Sequence, residues 1–298
     1  MTPLAPIAPT YRVLLGDITH FNIMVVGLGG TGSALALALA GLVYHARQKG
    51  IGVKLTLVDH DVIKPKNVGR QQFCPAEANG GIAKASSLAL RLNAAYGLDI
   101  TAWPLRFQAS LASDWFCHKK NTANLLIGCV DTHLGRQEMA KAVTYYSGRW
   151  HNKSCWSLDC GNAYSNGQIL IGNATQLDTI RFDRLGLCTG FPSPYLQEPT
   201  LLEPEEVADA TLSCADLTLR DEQSLMVNRL TAAIAAQYVT DFVLQRQATQ
   251  LGTFFNLTPT VMRPRLATKA NILLEPAHCE IQHNHRKTEK SSVTVEKV

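Results

Sequence analysis

Apolar positions in this chain first gather at Asn22–Val26, a short run with β-branched side chains that reads as a buried strand. It leads directly into Gly27–Gly32, G-L-G-G-T-G, and then into Ser33–Gln48, an Ala- and Leu-rich stretch that predicts a helix. A second apolar run, Val53–Val58, stops at Asp59 and precedes a polar loop with Pro65 and a helix around Ala83–Ala95. Ile100–Pro104 supplies a third strand. The apolar Leu125–Val130 forms a fourth, ending at Asp131, and a helix from about Gly135 to Tyr146 follows. Trp156–Asp159 and Gln168–Ile171 are further strands, with Asn166-Gly167 as the turn signal between them. Strands alternating with helices predict an α/β domain with a doubly wound, mainly parallel sheet and an additional antiparallel portion.

From Leu185 to Asp209 the pattern changes. Pro192, Pro194, Pro199 and Pro204 interrupt it, and Glu203, Glu205 and Glu206 make it acidic, which predicts a long crossover loop over 185–209. Glu222–Gln245 then reads as one amphipathic helix with Leu225, Leu230, Ile234, Tyr238 and Phe242 on a stripe, serving core packing or a dimer face. After Pro276 the chain is polar and charged to Val298. The organisation expected is therefore an N-terminal arm (1–12), one domain (13–276) and a flexible polar tail (277–298).

With 298 residues, 46% of them hydrophobic, the chain has enough apolar material for a substantial core. A net charge of +4 suits a polyanionic nucleotide or an acidic partner, and no basic run interleaved with aromatics indicates nucleic acid. Met1–Thr10 lacks the features of a secretory signal. The most apolar stretch, Ile23–Val43, carries five glycines and is explained by its glycine loop, so no membrane span and a cytoplasmic location are expected. The 8 cysteines contain no C-x-x-C pair and read as reduced, mostly core residues. His278, Cys279, His283 and His285 are irregularly spaced in the charged tail, where solvation explains them better than a metal.

Four features carry chemistry. Gly27, Gly29 and Gly32 stand in G-x-G-x-x-G register between a strand and a helix, with Gly30 and Ser33 adding small residues, an arrangement that lets phosphates approach helix N-terminal amides. Asp59, followed by Asp61, ends the second strand, where a carboxylate either holds ribose hydroxyls or caps the loop. Asn67, Arg70 and Gln71 in N-V-G-R-Q and Lys84 in G-I-A-K-A offer donors for phosphate oxygens, cations for which a nicotinamide enzyme has no evident use. Asp131, with Arg136 five residues on, ends the fourth strand, where it holds Mg²⁺ or caps a helix.

In order and spacing, G-L-G-G-T-G-S, D-H-D-V-I-K-P-K-N-V-G-R-Q, G-I-A-K-A and C-V-D-T-H-L-G-R resemble the ThiF, MoeB and ubiquitin-activating superfamily over roughly residues 10–175. More narrowly, the chain is similar to the ThiF-related members of plasmid-borne PRTRC cassettes. The resemblance implies a Rossmann-like fold that binds ATP with Mg²⁺. It also implies adenylation of the C-terminal carboxylate of a small ubiquitin-like or sulfur-carrier-like β-grasp protein, by a homodimer. By position it places Asp59 at the ribose, Asn67, Arg70 and Lys84 along the phosphates, and Asp131 at the metal. It also places Arg12, in T-Y-R, where an arginine reaches the phosphates bound by the other copy.

Two departures stand out. The superfamily's Asp-Asn is Asp131-Thr132 here, and its paired C-x-x-C zinc site is missing, since Cys155 and Cys160 are spaced C-x₄-C; no structural zinc is expected. Cys188, in G-L-C-T-G, lies where a transfer nucleophile would sit, or is an incidental loop cysteine. The leading expectation is an ATP-dependent adenylyltransferase. The rivals are a nucleotide-binding scaffold without transfer activity and an NAD-dependent oxidoreductase that shares the glycine loop.

Overall fold

A computed structural model describes residues 9–149, 155–204 and 225–275. In chain order the elements are β1 (Val13–Leu14), β2 (His20–Val26), α1 (Gly30–Gln48), β3 (Gly52–Val58), α2 (Pro75–Asn79), α3 (Lys84–Tyr96), β4 (Thr101–Trp103) and α4 (Ala112–Trp115). There follow β5 (Thr122–Gly128), α5 (His133–Arg149), β6 (Cys155–Asn162), β7 (Asn166–Gly172) and α6 (Pro194–Gln197). The last are α7 (Leu225–Thr240), β8 (Gln247–Ala248), β9 (Gln250–Leu257), β10 (Thr260–Leu266) and α8 (Lys269–Ile272).

Eight of the strands form one sheet in the order β10-β9-β7-β6-β5-β2-β3-β4. The half from β6 to β4 is parallel, and β7, β9 and β10 extend it antiparallel. The chain leaves β2 toward β3 and β4 on one side and returns to β5 and β6 on the other. The topological switch point, where open α/β sheets bind ligands, therefore lies between β2 and β5. Register makes the strand ends level there: Val26 pairs with Val58 on one side and with Gly128 on the other.

Both faces of the central strands are covered, which explains their continuous apolar runs. Successive side chains of β2 alternate between the two layers. Ile23 and Val25 pack with Leu35 and Leu39 of α1, while Met24 and Val26 pack with Trp115, Met139 and Tyr146 on the other side.

Several expectations are corrected. Asn166-Gly167 is not the turn between β6 and β7; it opens β7, with Gly167 paired to Asn162, and the connection is made by residues 163–165. The described part of the supposed crossover loop, residues 185–204, is packed structure. Phe191 is fully buried and meets Trp156 edge-to-face, and Ser193 caps α6 by accepting from the Leu196 N–H. Of the four prolines that suggested a loop, Pro194 and Pro199 start short helices, where a missing N–H costs nothing. Strands β9 and β10 went unread; β10 is exposed along most of its length and so carries no apolar run.

The long helix ends as α7 followed by a π turn over Asp241–Gln245, and its start at Glu222 lies outside the described residues. Its deepest positions are Val227, Thr231, Ala235, Val239 and Phe242, a stripe set by packing on α1, β6 and β7. The arm is pinned at its described end, where the Tyr11 N–H donates to the Ala267 carbonyl. The tail 277–298, its histidines and Cys214 fall outside the described residues.

Candidate functional site

A cleft of about 740 Å³ opens over the C-terminal ends of the parallel strands, a volume in the range of small-molecule sites. Gly27, Gly29, Gly30, Asp59, Asp61, Asn67, Gln71, Lys84 and Asp131 all line it, together with Arg136.

The glycines in the loop have different reasons to be glycine. Gly27 has φ +86° and lies against the Cys129 carbonyl, where a Cβ would come to 2.6 Å. Gly32, which is buried behind the cleft and does not line it, would drive a Cβ to 1.8 Å from the Gly27 carbonyl oxygen. These two serve the close approach of α1 to the strand ends. Gly29 faces open space, with nothing within 4 Å of a Cβ built there. It is also the N-cap of α1, whose start has no side-chain cap and no acidic residue in its first turn. An uncapped nineteen-residue helix thus presents orphan N–H groups and the positive end of its dipole beside a cleft. Ser33 braces the loop by donating to the Gly29 carbonyl at 2.6 Å and accepting from the Gln72 N–H at 3.1 Å.

Asp59 is buried and fixed by backbone donors, accepting from Leu28 N–H at 2.6 Å and from Asp61 N–H at 2.8 Å. Lys84, the first residue of α3, is held with its side chain 7% exposed by an ion pair of 2.9 Å to Asp61. Burial pushes the Asp61 carboxyl up, and its hydrogen bond and charge contact with Lys84 more than reverse this, so it lies below the usual aspartate value. Asn67 turns its carbonyl oxygen back to the Lys64 N–H at 2.8 Å, shaping the loop that carries the cations. Gln71 lines the cleft, and its Oε1 is buried with no hydrogen-bond partner among the described residues.

Asp131 is exposed on the far wall, just beyond β5. Below it Arg136 donates to Asp159 at 3.3 Å, and both are buried. Burial raises the Asp159 carboxyl above its ordinary value, with Arg136 opposing the rise. Two carboxylates and an imidazole within metal reach of one another, Asp59, Asp61 and His60, occur at the rim. The carboxylate oxygens there are already engaged by backbone amides and Lys84, so Asp131 has the freer carboxylate for Mg²⁺.

Three expected residues lie apart from this group. Arg70 is half-buried next to Gln71 in the chain and does not line the cleft. Arg12 is exposed, and its backbone pairs with Gly186 and Cys188. Cys188 is buried, its Sγ 3.5 Å from the Gly190 oxygen and 3.8 Å from that of Arg12, and burial pushes its thiol up to about 11. Burial and a raised thiol favour the reading of Cys188 as an incidental packed cysteine over that of a transfer nucleophile.

Sequence reasoning missed Thr31, Cys129, Cys160, Asn162, Tyr164 and Asn228, all of which line the cleft. Asn162 carried little signal, since it stands three residues past the expected strand end at Asp159. Asn228 carried none, since it sits in a helix two hundred residues from the loop it touches.

The ThiF family pattern matches residues 8–185. Adenylyltransferase and sulfurtransferase MOCS3 from Mus musculus is 37% identical over 112 residues, a match spanning 37% of this chain and 21% of that protein. Crystal structures with the same fold include E. coli MccB with ATP (TM-score 0.56, 14% identity, 85% of this chain and 66% of that one). PaaA is another (TM-score 0.53, 14% identity, 86% and 66%). The chain therefore spans about a fifth of the curated relative and just under two thirds of the two solved proteins.

Proposed function

We propose that this chain, which belongs to the ThiF family, binds ATP in the cleft over its parallel strand ends and adenylates a carboxylate. What carries the reading is the uncapped start of α1 beside open Gly29, flanked by Asp59 and Lys84 on one side and Asp131 on the other. A ribose fits at Asp59, whose oxygens keep lone pairs for hydroxyl donors. The helix amides and Lys84 receive phosphate oxygens, and Asp131 would hold the Mg²⁺ that neutralises them. The acceptor carboxylate attacks the α-phosphorus, forming an acyl–phosphate bond while the bond to the β-phosphate oxygen breaks and pyrophosphate leaves. A carboxylate is ionised at neutral pH, so no base is needed. The protein contributes position and charge.

MccB has been crystallised with ATP and with MccA, and MOCS3 is named for adenylyl transfer and sulfur transfer. By analogy the acceptor is the C-terminus of a small ubiquitin-like β-grasp protein, met by a homodimer in the cytoplasm as part of a PRTRC cassette. Arg12 and Arg70 enter that reading as residues that come to the phosphates on assembly.

Calorimetric titration with Mg–ATP and, separately, NAD tests the core of it. Mg–ATP is expected to bind, and Asp131→Ala and Lys84→Ala each to weaken it by about tenfold or more, the loss of one charge-assisted contact. Preference for NAD, or variants that bind as the parent does, overturns the assignment.

A further inference from the structure

One end of the cleft is lined by neutral amide and hydroxyl side chains rather than by cations. Asn162 ends β6, Thr31 lies in the first turn of α1, and Asn228 comes from α7, beyond the residues the family pattern matches. Asn162 Nδ2 donates to Thr31 Oγ1 at 2.9 Å and to Asn228 Oδ1 at 2.7 Å, and Thr31 Oγ1 donates to Asn228 Oδ1 at 3.0 Å. Asn228 is seated directly on Gly30, where a Cβ would come within 2.6 Å of its amide group. The three side chains hold one another, and Gly30 is glycine to admit them.

The proton count of this trio decides what it recognises. As arranged, Asn162 spends its amino group and keeps Oδ1, while Asn228 spends Oδ1 and keeps Nδ2. Turning both amides over, with the Thr31 hydroxyl redirected, leaves Asn162 Nδ2 and Asn228 Oδ1 instead. Either way one donor and one acceptor remain unspent among the described residues. Ionised phosphates and carboxylates only accept, so they use half of such a pair. A peptide group, with one N–H and one C=O, uses both.

Position agrees. β6 lies three strands from β3, so at ~4.8 Å per strand Asn162 stands ~14 Å from the Asp59 end of the cleft. It adjoins the wall that carries Asp131. A nucleotide with its ribose at Asp59 and phosphates at Gly29 leaves this end for the acceptor. Tyr164, 55% exposed, forms its lip.

We propose that Asn162 and Asn228, bridged by Thr31, are positioning residues that read the last peptide group of the acceptor, restricting the substrate to polypeptide C-termini over simple carboxylic acids. This rests on the adenylation reading. Pyrophosphate exchange with Mg–ATP tests it, using N-acetylglycylglycine, its ester analogue with oxygen in place of the last N–H, and acetate. The wild-type chain is expected to take the peptide about tenfold better than either of the others, the effect of one unmade hydrogen bond. That comparison needs no variant to fold. Asn162→Leu and Asn228→Ala are expected to raise the peptide KM about tenfold while the calorimetric Kd for ATP moves less than about threefold.

Equal use of peptide and acetate overturns the proposal. So does an ATP affinity that falls as far as the peptide KM rises, because the trio is then only a prop for the glycine loop. A chain that binds Mg–ATP but accepts no peptide also overturns it. A wild-type chain that binds no Mg–ATP fails at the earlier step, the adenylation reading itself.

Discussion

The backbone N–H of Leu28 donates to Asp59 Oδ2 at 2.6 Å, tying the glycine loop at the end of β2 to the end of β3. The second oxygen takes the Asp61 N–H, so one buried carboxylate organises two loops. Asp59→Ala is expected to leave both donors without acceptors and cost roughly 1–3 kcal/mol, read as a shift in the urea midpoint at constant slope. Asp59→Asn, which retains one acceptor, is expected to fall between the variant and the parent.

The Asp61–Lys84 pair gives a pH signature. Asp61 is held below its ordinary value by Lys84, so its contribution to stability is fully present above the unfolded aspartate value and is lost as pH falls through the lower, folded one. Melting temperature measured from neutral pH down through about pH 4 to pH 3 is expected to fall less steeply in Asp61→Asn than in the parent. Parallel curves would show that the pair does not favour the native carboxylate.

The loop glycines are expected to rank by what their Cβ would strike. Gly32→Ala meets the Gly27 carbonyl at 1.8 Å and cannot be relieved by a side-chain rotation, so this variant is expected to lose roughly 3 kcal/mol or more. Gly30→Ala meets only the Asn228 amide at 2.6 Å, which can swing aside. It is expected to fold nearly as stably while its acceptor use falls with that of Asn228→Ala. Chemical denaturation separates the two; equal losses would mean that α7 is held as rigidly as backbone.

Cysteine reactivity follows burial. Cys74 is exposed, whereas Cys188 is buried with its thiol raised to about 11. Brief alkylation with iodoacetamide at neutral pH, followed by peptide mass analysis, is expected to label Cys74 and leave Cys188 unmodified. Early labelling of Cys188 would return it to consideration as a transfer thiol.

The parallel half of the sheet was legible because its strands are buried on both faces and are bounded by glycine or aspartate. Val26, Val58 and Gly128 each end a run that chemistry then continues. The antiparallel half was harder. β10 is exposed along almost its whole length, so it shows no apolar run, and prolines suggested a loop over 185–204, where Pro194 and Pro199 begin short helices. Within the site, Asp59, Lys84 and Asp131 were readable because their spacing follows local elements. Thr31, Asn162 and Asn228 meet only through tertiary contact, and no local pattern marks a polar residue in a helix as one that will sit on a glycine from another.

The antiparallel strands also set the smallest piece of this chain that could live alone. Excised at residue 185, the segment that carries the family pattern would strip β9 from β7, leaving a new open edge with unpaired backbone groups. It would also remove Phe242, whose ring lies 5.4 Å from that of Trp156, and uncover the largest buried side chain of the core. The front part, which carries Asp59, Lys84 and Asp131, thus depends for its sheet edge and its core on residues that follow it, from α7 onward.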